Sequence, residues 1–486
     1  MLARNVFRTL HFVLFLVTTV SGLLPHCALH TSALLRATSF NLRSSSVARM
    51  SSSVSESESK SDVLVVGAGI GGLATALALQ EIAGITSVRV WERADRERWM
   101  KTGTVTGLGL NQHGLRAIET ISPSVHAEIM KAGLFNDKLQ RQYIRWSTLR
   151  DILASHLPPG TISYGAEVSQ VETSAQAVRV TSAATSQTAE AAVVIGADGL
   201  RSVMKRLMDP TSPPPQNADA FTPHKLSSNE PQLRGLGRTN IRGVLEDDSV
   251  LPRKMPPVTW QKVTAGQMVQ ITVSPAGCQY WSLSLLDSEA TEHGWERAHV
   301  LASGEQAKSE AARLTEGFPE LRALVQATPA ACVVPYQSFV GDLVDSMAVG
   351  PVAVLGDAAH PAAVTGEGAN MVLEDAAALA LAFRTRAAAG PDGRLAVGTE
   401  EARSILQAFS STRLPICSLI RDISLRSADA WLQGPDYAHI PALLDQLRPP
   451  FRPEATPESV AQDMAERRAR FKELTGSLAE EEEAWE

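Results

Sequence analysis

Residues 63–72, Val63-Leu64-Val65-Val66-Gly67-Ala68-Gly69-Ile70-Gly71-Gly72, decide how this chain folds. The first four are aliphatic, mostly β-branched, and read as a strand buried on both faces. They run directly into a glycine-rich turn, and an Ala- and Leu-rich stretch to about Ala83 predicts the helix that follows. A second strand over 87–92 completes a βαβ unit. In such a unit Gly67 permits the tight turn, Gly69 lets a pyrophosphate approach the backbone, and Gly72 lets helix and strand pack closely. The phosphates of a dinucleotide then sit at the helix N-terminus, where free N–H groups and the helix dipole favour negative charge. Glu92 ends the second strand, where a carboxylate accepts hydrogen bonds from an adenosine ribose. The turn alone suits NAD as well as FAD.

Outward from this unit, short β-patterned runs are predicted at 162–164, 168–172, 178–181 and 191–195, and residues 209–232 read as a mobile Pro- and Ser-rich surface loop. Residues 258–286 alternate as an antiparallel sheet carrying Trp260, Tyr280 and Trp281, which could line a substrate site but more often belong to a core. Residues 347–355 return to buried-strand character, 369–386 form a long Ala-rich helix, and the charged end, 453–486, reads as a solvated helix or tail.

Two later motifs separate FAD from NAD. Val193-Val194-Ile195-Gly196-Ala197-Asp198-Gly199-Leu200-Arg201-Ser202 resembles the Asp-Gly motif of the single-component FAD-dependent aromatic hydroxylases. Val354-Leu355-Gly356-Asp357-Ala358-Ala359-His360-Pro361, followed by Gly366-Glu367-Gly368-Ala369-Asn370 and Glu374-Asp375, resembles their Gly-Asp motif. That family includes salicylate hydroxylase, kynurenine monooxygenase, zeaxanthin epoxidase and the ubiquinone-pathway hydroxylases. Weaker similarity appears at 107–116, at Arg145-Trp146-Ser147-Thr148-Leu149, and at 407–415, where Arg413 is given no catalytic role. The resemblance spans about residues 61 to 435, with the motifs in the family's order.

The resemblance implies an α/β fold: a Rossmann-like FAD-binding domain of the glutathione-reductase type, an interleaved β-sheet substrate domain and a C-terminal helical region. The FAD-binding domain is expected in two stretches of chain, 61–205 and 346–390, the latter carrying the Gly-Asp motif and its helix. Between them lies a mainly substrate domain over 206–345; helices over 391–450 and a charged tail over 451–486 follow. The implied cofactor site comprises Gly67, Gly69, Gly72, Glu92, Arg145, Asp198, Gly356, Asp357, Gly366, Gly368, Ala369 and Asn370. Asp357 would accept from a ribityl hydroxyl, and the N–H groups of 366–370 would face the flavin pyrimidine edge, which becomes negative on reduction. Asp198 and Arg201 are the matching candidates for the FAD and NAD(P)H sites. The implied reaction is NAD(P)H-dependent: a flavin C4a-hydroperoxide passes one oxygen atom to a small aromatic or isoprenoid-type substrate, by hydroxylation or epoxidation. A related reductase or halogenase, or a flavin-binding protein of impaired catalysis, is the alternative; the W-x-W-x-I-P signature of flavin halogenases is absent. The chain departs from the family pattern at Glu367, where glutamine is usual, and in the loop 361–365, which is one residue shorter and lacks a later proline. No residue is assigned as catalytic base, and a packing role suffices for His360.

Composition excludes other classes. A formal net charge of −7 gives no reason to expect nucleic acid. The four cysteines, Cys27, Cys278, Cys332 and Cys417, have neither disulfide nor zinc-ligand spacing, and no metal is expected. Residues 1–60 read as a targeting presequence: an apolar stretch over 12–24 precedes an Arg- and Ser-rich tract, and no acid occurs before Glu56. The segment Ala37-Thr38-Ser39-Phe40 resembles the processing region of plastid presequences in algae with complex plastids, which makes a plastid the expected address. A mitochondrial presequence and an uncleaved membrane anchor are the alternatives, and the latter is compatible with peripheral membrane contact.

Overall fold

The computed structural model describes residues 59–137, 140–208, 222–224, 234–245, 258–264, 267–274, 278–286, 303–361, 366–386, 392, 398–433 and 444–485. Of the presequence expected over residues 1–60, residues 1–58 lie outside the described residues, while Ser59 and Lys60 already belong to the first strand.

The expected βαβ unit is strand β1 (Ser59–Val66), helix α1 (Ile70–Glu81) and strand β2 (Val88–Glu92). Val63, Leu64 and Val65 are fully buried, as are Leu73, Ala74 and Leu79 of α1. Each buried Val or Leu contributes roughly 1.5–3 kcal/mol relative to exposure, which is why this short, nearly all-apolar segment is the centre of the molecule. A small antiparallel sheet follows, in which β3 (Gly107–Asn111) pairs with β4 (Arg141–Arg145). Helix α2 (Gln112–Ile121) leaves β3 directly, and α3 (Trp146–Ser155) leaves β4.

On the far side of β1 from β2 lies β5 (Thr188–Gly196), also parallel, so the central strand is covered on both edges. The main sheet extends antiparallel beyond β5 through Val178–Ser182 and Val168–Thr173 to Thr222–His224. That last strand falls inside the 209–232 stretch expected to be a mobile loop: Thr222–His224 pairs with Val171–Thr173, and the rest of the stretch lies outside the described residues.

The substrate-domain expectation corresponds to a second, five-stranded antiparallel sheet. Its order is Val258–Thr264, Gln267–Ser274, β7 (Cys278–Leu286), β6 (Arg234–Leu245), β8 (Val333–Val340). Side chains alternate between its two faces. Ile241 and Leu245 of β6, Trp281 and Leu283 of β7 and Val333 of β8 pack against Ala307, Ala311, Leu321 and Leu324 from the helices Gly304–Leu314 and Pro319–Ala327. Val244 and Tyr280 face the other way and meet Val105 of the cofactor domain. Trp281 is thus core, with its Nε1 donating to Thr328 Oγ1 at 2.9 Å, whereas Tyr280 lies on the opposite face of the sheet, against Val105. The side chain of Trp260 lies outside the described residues. Trp281→Phe loses that hydrogen bond and some ring volume, and urea unfolding is predicted to show a loss of about 1–3 kcal/mol.

Residues 347–355 differ from the single strand expected. Gly350, with φ of +59°, and Pro351 make a turn that splits the run into Ala348–Val349 and β9 (Val352–Val354), which pair antiparallel. β9 still joins β5 in parallel, so its C-terminal end lies level with that of β1, with β5 between them. Helix α4 (Gly368–Arg386) then packs on α1, and α5 (Thr399–Gln433) on α4.

The charged end is more than a solvated tail. Helix α6 (Pro457–Trp485) buries Val460 and Met464 against Ile416, Leu419, Ile420 and Ile423 of α5, together with Leu444 and Leu447. The apolar residues recur at helical spacing among many charges, so one stripe docks while the remaining faces are solvated.

Candidate functional site

The glycine turn is built for close approach. Gly67 has φ of +104°, and a Cβ there would stand 2.5 Å from the Ala197 carbonyl oxygen. A Cβ on Gly72 would stand 1.8 Å from the carbonyl oxygen of Gly67 itself. Around Gly69, by contrast, the space is open. Ala68 between them is fixed at both ends: its N–H donates to Glu92 Oε2 at 2.8 Å, and its carbonyl accepts from Trp99 Nε1 at 2.8 Å. Glu92 Oε1 accepts from Ala94 N at 2.8 Å, so the carboxylate is held rigidly while each oxygen keeps a lone pair for a ribose hydroxyl. No side chain caps α1, and its first turn carries no acid. Its leading N–H groups thus have no intrahelical partner and suit a phosphate.

A second helix N-terminus lies beside the first. Gly71 of α1 sits so near α4 that a Cβ would be 2.4 Å from Val372 Cγ2, and one on Gly356 would be 2.7 Å from the same atom. Gly356 has φ of +61° and turns the chain out of β9. Asp357, next in the chain, is exposed, and no described residue forms a hydrogen bond with its carboxylate. Its Oδ1 lies 3.4 Å from the position of a Cβ on Gly368, at the start of α4. An unused acceptor between two helix N-termini fits the ribityl and pyrophosphate portion of FAD.

At the start of α4, Gly366 has φ of +90° and Met371 N donates to Glu367 O at 2.8 Å. The N–H groups of Gly368, Ala369 and Asn370 precede the first intrahelical bond and are open to an external acceptor. The Asn370 side chain is fully buried and spent on structure. Its Oδ1 accepts from Asn111 N at 2.9 Å, and its Nδ2 donates to Gly366 O at 2.7 Å and Gly109 O at 3.3 Å. Asn370 therefore offers a ligand its backbone only.

Behind this helix start is a buried cluster of charges that sequence reasoning missed. Glu367 accepts from Asn111 Nδ2 at 3.1 Å and from Arg448 Nε at 3.0 Å, with Arg141 Nη2 at 3.7 Å. Arg448 also donates to Glu374 Oε1 at 2.7 Å; Arg413 bridges Glu374 at 3.2 Å and Asp375 at 2.9 Å. Asp375 further accepts from Gly356 N and lies 2.6 Å from His360 Nε2. Burial would raise the Glu367 carboxyl, but Arg448 and Arg141 outweigh it and hold it below the usual range. For Asp375, too, burial is outweighed, by His360 and Arg413, and its carboxyl stays well below the usual range. Burial would lower His360, but Cys417 and Asp375 hold it well above the usual imidazole value. His360 thus packs the turn from within, 1% exposed, and Arg413 is an ion-pair hub.

The remaining expected residues are more dispersed. Asp198 accepts from Ser202 Oγ at 2.6 Å, Val203 N at 2.7 Å and Met204 N at 3.0 Å, so it organises its own turn and the short helix Val203–Leu207. Arg201 is exposed. Arg145 ends β4 opposite Gly107 and occupies the N-cap of α3. Its neighbour Arg150 is fully buried, lies 4.1 Å from the centre of the Trp99 ring and donates to Trp99 O and to Thr102 O. Arg150 therefore steadies the tryptophan that pins Ala68. Facing this region from the second sheet are Arg242, stacked on Tyr336 with its Nη1 3.5 Å from Thr106 Oγ1, and Tyr280, packed on Gly107. Of the shortened loop 361–365, Pro361 is buried and residues 362–365 lie outside the described residues.

No family model matches the chain. It is 28% identical to a 3-amino-4-hydroxybenzoate 2-monooxygenase of Streptomyces cremeus, across 76% of this chain and 94% of that protein. Klebsiella pneumoniae HpxO, solved with FAD and uric acid, superposes with a TM-score of 0.60 at 19% identity, covering 84% of this chain and 96% of the other. A salicylate hydroxylase substrate complex gives a TM-score of 0.58 at 19% identity, over 81% and 94%. The fold is that of the FAD-binding monooxygenases.

Proposed function

We propose, on the premise that the chain is one of the FAD-dependent aromatic hydroxylases, that it oxidises NADH or NADPH and inserts one atom of molecular oxygen into a small aromatic substrate. The second oxygen atom leaves as water, with two electrons from the nicotinamide and two from the substrate C–H bond. The observation that carries this reading is the pair of adjacent helix N-termini, α1 and α4, with Asp357, whose carboxylate has no hydrogen-bond partner among the described residues, between them. FAD, when bound, supplies hydride acceptance and oxygen activation. The protein supplies the rest. Leading N–H groups of α1 hold the pyrophosphate, Glu92 a ribose and Asp357 a ribityl hydroxyl. The N–H groups of Gly368 to Asn370 stabilise negative charge at the end of α4. The sheet face bearing Arg242, Tyr280 and Tyr336 covers the reacting space and excludes water.

The relative from Streptomyces cremeus, whose name specifies a substituted benzoate, favours a ring substrate over an isoprenoid one. The test uses the full chain with FAD, either nicotinamide, isotopically labelled oxygen gas and a panel of aminobenzoates, hydroxybenzoates and related heterocycles. A product carrying label from the gas supports the reading. Product labelled from water, or reduction without oxygen uptake, overturns it. Asp357→Ala is predicted to weaken FAD binding roughly 10- to 100-fold, from loss of a charge-assisted hydrogen bond, as read by flavin fluorescence titration. The basic N-terminal stretch is proposed to direct the protein to a plastid; a carboxy-terminal fluorescent fusion of the full chain collecting in mitochondria instead would refute that address.

A further inference from the structure

We propose that Arg448 is a positioning residue for the flavin: by neutralising Glu367 it sets the charge at the N-terminus of α4 and thereby how easily the bound flavin is reduced. The inference rests on the reading that FAD occupies that helix end.

Glu367 is the residue immediately before α4, at the end where the helix dipole favours negative charge. An uncompensated carboxylate there would occupy the same favourable field that a reduced, anionic flavin needs. The structure compensates it from several directions. Arg448 Nε approaches from the segment preceding α6 at 3.0 Å, and Arg141 approaches from β4 at 3.7 Å. From β3, Asn111 donates to both carboxylate oxygens. His113 of α2 is a further nearby group, whose own pKa is lowered by burial and by Arg448.

Arg448 is itself fixed. It is 5% exposed, its Nη2 donates to Glu374 Oε1 at 2.7 Å, and its carbonyl region is held by Arg467 of α6. Glu374 is shared with Arg413, and Asp375, which Arg413 also touches, pairs with His360, so the negative charge behind Arg448 is balanced. Arg448 is thus available to Glu367, and the docked helix α6 keeps it there. A purely structural ion pair would not require its carboxylate directly before the helix end assigned to the cofactor.

The test compares the dye-equilibrated midpoint potential of bound FAD in the full wild-type chain, Glu367→Gln, Arg448→Met and the double variant. Glu367→Gln removes negative charge and is expected to favour reduced flavin at least tenfold, about 30 mV for a two-electron couple. Arg448→Met is expected to shift the equilibrium at least tenfold the opposite way, and the double variant to return near wild type. If Arg448→Met fails to fold, Glu367→Gln decides alone, since it leaves Arg448 paired with Glu374. A midpoint unmoved in FAD-loaded Glu367→Gln, or single variants shifting in the same direction, overturns the inference and leaves the functional reading intact. A wild-type chain that takes up no FAD overturns both.

Discussion

Gly72→Ala is expected to give a folded chain that purifies without flavin and cannot be reconstituted at micromolar FAD. The added methyl would lie 1.8 Å from the Gly67 carbonyl oxygen, a separation no real Cβ contact allows. Relief requires either α1 to slide away from β1 or the turn to open. Gly67 cannot yield easily, because its φ of +104° is set by close packing on the Ala197 carbonyl. Ala68 cannot yield either while Glu92 and Trp99 hold its two polar groups. The overpacking costs about 1–3 kcal/mol, which a domain with this core absorbs. The pyrophosphate site does not absorb it, because the N–H groups of the turn must converge within hydrogen-bond reach. Absorbance near 450 nm and circular dichroism read the two effects separately. Full flavin content in Gly72→Ala would contradict the role given to this turn.

Arg413→Met is expected to cause the largest loss of stability, about 3–5 kcal/mol by urea unfolding, because it takes a buried cation from two buried carboxylates and leaves Glu374 only Arg448, which Glu367 shares, and Asp375 only His360. Glu374 and Asp375 are both fully buried, and Arg413 is the group that touches both. Lysine at the same position keeps the charge but loses the planar fork that reaches two carboxylates, so Arg413→Lys should recover only a fraction of the loss. The pH dependence follows from the direction of the shifts. The carboxyls of Asp375 and Glu367 lie below their ordinary values in the folded protein. Their contribution is therefore complete above the unfolded carboxylate range, about pH 4, and is lost as pH falls through the folded values. In Arg413→Met the Asp375 carboxyl rises, and acid unfolding should begin at higher pH than in the wild type. Coincident acid transitions would show that Arg413 does not hold Asp375 ionised.

What could be read in the sequence was what is fixed within a few residues. Gly67, Gly72 and Gly356 answer backbone demands that no side chain can meet, and the strands feeding them are continuous apolar runs. The turn at Gly350-Pro351 was equally local, but apolar residues on both sides masked it, so 347–355 read as one strand. The charge cluster behind α4 is different in kind. Arg448 and Glu367 are 81 residues apart, and neither lies in a pattern that announces its partner. Arg150 likewise meets Trp99 and Thr102 only once α3 is folded back on the turn before β3. The docked stripe of α6 was hidden by the surrounding charges, although Val460 and Met464 are one helical turn apart. Period-2 alternation put Tyr280 and Trp281 on opposite faces of their strand; which face was core depended on where the helices Gly304–Leu314 and Pro319–Ala327 lie.

The proposed FAD site joins the turn at Gly67–Gly72, Asp357 and the start of α4. Titration of the flavin-free full chain with FAD, followed by fluorescence quenching and the visible spectrum, tests it most directly. Saturable binding of one FAD per chain is expected, weakened in Asp357→Ala and absent in Gly72→Ala. A folded wild-type chain that remains colourless, or one whose FAD affinity is unchanged by both substitutions, would contradict it.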